Sequence, residues 1–131
     1  MKHLPDRFID IKPTILEVEN ANELVTEVLG LAESGEYDPV QIAETLVELL
    51  GRLSDRYTSF NPDSAQRSFE WAKASFDLNN IQLIDALLTI LMNGPSLQAA
   101  SDFVSSKIAS SPSQETTDLL QEFCREADEG L

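Results

Sequence analysis

The sequence predicts an all-α fold of five to six short antiparallel helices, arranged as a compact bundle or a short α-solenoid-like stack. Three observations point there. Apolar residues recur with a helical period almost throughout. Helix starts near 39, 62, 80, 96 and 112 are spaced by about 16 to 23 residues, the rhythm of short helices joined by short loops. Three of the starts share one grammar, a capping residue followed by Pro at the first helical position: Asp38-Pro39, Asn61-Pro62 and Ser111-Pro112. No internal repeat separates bundle from stack, and little or no sheet is expected. A length of 131 residues suits one helical domain spanning 1–131.

Residues 1–12 read as an N-terminal segment packing on the bundle, with "RFIDI" as a short extended piece. The first long helix ends near Ser34 and starts at Thr14 (with Glu17) or Asn20 (with Glu23). Its apolar face is Ala21, Leu24, Val25, Val28, Leu31 and Ala32. "SGEYDP" is a turn. The second helix covers about 39–54, with Ala43, Leu46, Val47, Leu50 and Leu53 inward. Gln41 follows Asp38, and Gln114 follows Ser111, at the spacing of a capping box.

The third helix covers about 62–77 and carries two apolar stripes. Ala65, Phe69, Ala72 and Phe76 form one; Trp71, Ala74 and Leu78 form the other. The fourth, about 80–92, is the most apolar. Between Ile81 and Met92 only Gln82, Asp85 and Thr89 are polar, on one narrow stripe, so this helix is expected at the centre of the domain. It stops at "NGP", where Asn93 or Gly94 can turn left-handed and Pro95 blocks continuation. A fifth helix covers about 96–109, and a sixth about 113–128 after "SSPS".

Charge narrows the function. The net charge is −14, and the stretch from Thr14 to Gly51 holds nine acidic residues with no Lys, Arg or His. Such a field repels nucleic acid and anionic membranes and draws basic partners from a distance. The nine Lys and Arg residues are dispersed, with Arg52, Arg56, Arg67 and Lys73 as a loose group offsetting local acids. Direct nucleic-acid binding is therefore rejected. The opening "MKHLPDRFIDIKP" lacks the apolar core of a signal peptide, and no apolar run reaches membrane-spanning length. With a single Cys124 there is no intrachain disulfide, and the cytoplasm is the expected compartment.

Catalytic chemistry finds no foothold. His3 is the only histidine and sits at an exposed terminus; Cys124 falls beside Leu120, Phe123 and Ala127 and reads as a buried structural thiol. No nucleophile elbow or glycine-rich phosphate loop is present. "DLNNIQLID" lacks the glycine and terminal Glu of an EF-hand, and the helical Glu pairs lack the histidines of a bundle di-iron site. No enzymatic activity, metal or cofactor is expected.

Protein binding remains. Glu19, Glu23 and Glu27 form one acidic track, Glu44 and Glu48 a second, and Glu33, Glu36 and Asp38 decorate the turn between them. Like charges at i, i+4 cost a helix roughly 0.2–0.5 kcal/mol per pair, and no cation inside the stretch relieves them. Adjacent antiparallel helices would merge the two tracks into one negative surface, fit for a basic protein partner. Trp71, off the main stripe of its helix, with Tyr57 and Phe60 nearby in the chain, offers an aromatic contact. The alternative for Trp71 is packing under a neighbouring helix.

The segment "WAKASFDLNNIQLIDALLTILMNGPSLQAASDFV" (71–104), together with the acidic 13–51 region, resembles the small acidic helical immunity proteins of bacterial toxin systems, contact-dependent inhibition included. That resemblance implies a protein that binds its cognate toxin domain, often a nuclease with a basic groove, and covers the active site. A cytosolic helical secretion chaperone or adaptor is the alternative. It would hold an amphipathic client segment in an apolar groove.

Overall fold

A computed structural model describes residues 2–9, 18–55 and 58–130. It is all-helical: α1 (Asp6–Ile9), α2 (Val18–Ser34), α3 (Pro39–Ser54), α4 (Pro62–Ala74), α5 (Ile81–Met92), α6 (Leu97–Ile108) and α7 (Gln114–Glu129). Among the described residues there is no strand, only an isolated parallel bridge between Lys2 and Tyr37.

α5 sits at the centre, as its composition requires. It packs against α3, α4, α6 and α7, while α2 packs on α3 and α4, and α1 on α3. Leu83, Ile84, Leu87, Leu88, Ile90 and Leu91 are buried, and Gln82, Asp85 and Thr89 form the exposed stripe. All of these packed pairs are one or two helices apart in chain order, so the hairpins α2–α3, α4–α5 and α6–α7 each pack on the next, an arrangement that a small bundle and a short α-solenoid-like stack share. The α6–α7 pair is antiparallel: the Ser101 hydroxyl donates to Asp128 Oδ1 (3.2 Å), and Ser105 Oγ meets Cys124 Sγ (3.3 Å). Four residues forward in α6 is four back in α7.

The caps explain the helix starts. Asp38 accepts from Val40 N–H at 3.0 Å, Asn61 from Ser64 N–H at 2.9 Å, and Asn80 from Leu83 N–H at 3.2 Å. Two readings shift. α7 is capped by Ser113, which accepts from Thr116 N–H (3.2 Å), not by Ser111; Pro112 stands outside the helix, and Gln114 donates to Asp118. Gln41 closes no capping box either. Its Oε1 accepts from Leu4 N–H (2.9 Å) and its Nε2 lies 3.0 Å from His3 Nδ1, so it ties down the N-terminal segment.

That segment is not extended through "RFI". Pro5 offers no N–H to a ladder, its carbonyl accepts Phe8 N–H (2.9 Å), and a single helical turn follows. Leu4 and Phe8 are buried in the core, while Asp10 and Ile11 lie outside the described residues. For α2, Asn20 falls inside the helix and is not its start; Thr14 lies outside the described residues.

Two glycines carry backbone geometry. Gly35, with φ +74, takes the left-handed turn between α2 and α3. Gly94 does not turn left-handed. A Cβ there would lie 2.6 Å from Phe69 Cδ2, so the residue lets the Phe69 ring close against the end of α5. α4 ends at Ala74 rather than 77, because Phe76 leaves the helix to pack edge-on against Phe103 of α6 at 5.3 Å.

Candidate protein-binding surfaces

The turn carboxylates serve the fold. Asp38 caps α3. Glu36 pairs with Lys2 at 3.3 Å. Glu33 takes the Arg67 guanidinium of α4, which Asp63 also approaches at 3.9 Å. The Arg67 hydrogen bond holds the Glu33 carboxyl below its ordinary value, outweighing the desolvation that raises it, with the Arg67 charge adding a smaller lowering, and the same bond raises Arg67. Relief for the acidic stretch thus arrives from outside it, from Arg52 one turn after Glu48 and from Lys2 and Arg67, each 34 residues from its partner, which sequence spacing does not show.

Glu23 and Glu27 are exposed on α2, and Glu19 belongs to α2 with its side chain outside the described residues. Glu44 and Glu48 border α5. Glu44 accepts from Gln82 Nε2 of α5 at 2.7 Å, and Glu48 binds Arg52 at 2.6 Å. Between α3 and α5 lies a depression of about 250 Å³ walled by Glu44, Val47, Glu48, Asp85, Ala86 and Thr89. On the other flank of α5, a second depression of about 290 Å³ is walled by Asp85, Leu88, Thr89, Met92, Leu119, Glu122 and Glu126. Asp85 and Thr89 belong to both.

The two depressions therefore flank the exposed stripe of α5, and five carboxylates from three helices stand around them: Glu44, Glu48, Asp85, Glu122 and Glu126. Among the described residues, Arg52 answers Glu48 and Arg125 answers Glu122 at 3.4 Å. Glu122 and Glu126 went unnoticed in the sequence, although they are an i, i+4 pair like Glu44 and Glu48 and the same criterion finds them.

A third concavity is larger and less negative, since its lining charges include a cation. A groove of about 660 Å³ runs between the α2–α3 turn and α4, walled by Tyr37, Pro39, Ile42, Trp71 and Ala74 with Glu33, Arg67 and Glu70 among its polar residues. Trp71 is half-buried, packed against the core on one side and open to this groove on the other. Its aromatic companion is Tyr37. Phe60 is buried in the core, and Tyr57 lies outside the described residues.

Cys124 is partly buried rather than enclosed, its thiol against the Ser105 hydroxyl and 3.9 Å from the Ser101 carbonyl. His3 is exposed and engaged by Gln41. Among the described residues, no group of three or more His, Cys, Asp and Glu side chains is placed to hold a metal ion. No helix among them is long and apolar enough to cross a membrane. In comparisons with known proteins, no family model, curated sequence or solved structure matches the chain.

Proposed function

We propose that this chain is a protein-binding inhibitor rather than an enzyme, acting in the cytoplasm as an immunity protein that neutralises a basic toxin domain, of nuclease type among others, by covering its active site. The observation that carries the reading is the convergence of Glu44, Glu48, Asp85, Glu122 and Glu126 on one face from helices far apart in sequence. A chain of net charge −14 brings a basic partner in quickly, and a face of this sign sets the orientation in which it docks.

The test is affinity capture of the partner at low and high salt, repeated with a variant carrying Glu44→Lys, Glu48→Lys, Glu122→Lys and Glu126→Lys. A basic protein retained at low salt, released by high salt and lost in the variant supports the reading. Retention by the variant equal to wild type rejects it. The second reading, a secretion chaperone or adaptor, is favoured by the Trp71–Tyr37 groove. It requires a client that stays bound at high salt and is lost in Trp71→Ala.

A further inference from the structure

We infer that the α3–α5–α7 face receives a basic amphipathic helix of the partner, laid along α5, with apolar side chains in the two depressions and Lys or Arg on both flanks. The inference rests on the proposed binding of a basic protein and specifies the element that does the binding.

Four features choose a helix. First, each depression has an apolar part: Val47 and Ala86 on the α3 side, Leu88, Met92 and Leu119 on the α7 side. An apolar stripe on a partner can therefore be buried there, which charge attraction alone would not reward. Second, the carboxylates stand on both outer flanks, from α3 and from α7, with Asp85 between them. A segment seated across α5 meets negative charge on either side, matching an apolar stripe flanked by cations.

Third, the flanking acids come as i, i+4 pairs, Glu44 with Glu48 and Glu122 with Glu126, each one helical turn apart. Basic residues spaced one turn apart on a second helix have the same repeat, so ridge and groove stay in register. Fourth, α3, α5 and α7 are continuous helices whose interior N–H and C=O groups are bonded within each helix. They offer no open edge for an added strand. Among the described residues, the one bridge between extended segments, Lys2 with Tyr37, belongs to the α2–α3 turn instead.

The experiment titrates the full chain, at physiological salt, with two synthetic peptides of one composition. One places Leu in a helical stripe flanked by Lys; the other scrambles the order so that no stripe forms. NMR amide shifts locate the site, and Trp71, the only tryptophan, reports by fluorescence on the other groove. The striped peptide is expected to bind at least about tenfold tighter than the scramble. Its shifts should centre on Asp85, Thr89 and Leu119, it should gain helicity, and Trp71 emission should stay unchanged.

The double variant Met92→Gln/Leu119→Gln leaves the charge intact and should bring the striped peptide down to the scrambled level. Equal binding of the two peptides overturns the helix inference while leaving a charge-driven partner in place. Binding that shifts Trp71 emission instead of the Asp85 region overturns it too. Binding of neither peptide removes both this inference and the proposed basic partner.

Discussion

Gly94 and Gln41 show what a single position can hide. In "NGP" the glycine reads as a helix terminator, and α5 does end there. Its structural use, however, is to leave room for an aromatic ring that lies 25 positions earlier in the chain. Phe69 is 4% exposed, so its ring has little space to retreat, and an added Cβ at Gly94 would also lie 3.2 Å from the Leu91 carbonyl oxygen. Gly94→Ala should therefore destabilise the fold by about 1–3 kcal/mol, the usual range for overpacking. Urea unfolding measures this as a lower midpoint at constant slope; an unchanged midpoint would mean that the ring yields freely. Gln41 follows the same logic. Its spacing from Asp38 suggests a capping box, yet an amide with both a donor and an acceptor is taken up by Leu4 and His3. Local spacing cannot register a competitor 37 or 38 residues away.

Elements were the most legible level. Period and turn residues locate α3, α5 and α6 to within about a residue; of the caps that fix those starts, Asp38 is read from the sequence, while Asn80 and Ser96 are seen only in the structure. α7 is misread at its cap because three serines crowd one junction, and only geometry selects Ser113. How elements are fastened to one another was not legible. The Glu33–Arg67 pair pins the end of α2 to α4 across 34 positions. Because the folded carboxyl titrates below its unfolded value, the folded chain holds fewer protons at this site in the acid range. The pair's contribution is present above the ordinary carboxylate range and is lost as pH falls through it. Wild type should thus exceed Glu33→Gln in stability at neutral pH, by an amount that closes on acidification. Denaturation midpoints of both proteins across the acid range check this; a gap independent of pH would assign the Glu33 effect to something other than its charge. Both partners are partly exposed, so the difference should be small.

For the whole molecule, the sequence announced the central helix and the excess of negative charge but not which acids from distant helices stand together. Glu44 and Glu48 border α5 and join Asp85 and the α7 pair. That juxtaposition depends on the packing of α5 between α3 and α7, which no helical period encodes. The same packing has a mechanical consequence. α6 and α7 are joined closely to each other and reach the other helices chiefly through α5. The chain therefore has a seam along one side of that helix, where the last two helices can lift away together without unravelling α2, α3 and α4. Hydrogen–deuterium exchange in mild urea should show amides of α6 and α7 opening at lower free energy than those of α3; one shared isotherm would mean there is no such seam. A binder that grips α3 and α7 at once lies across it like a rivet, so occupancy should slow exchange most in the two helices that loosen first.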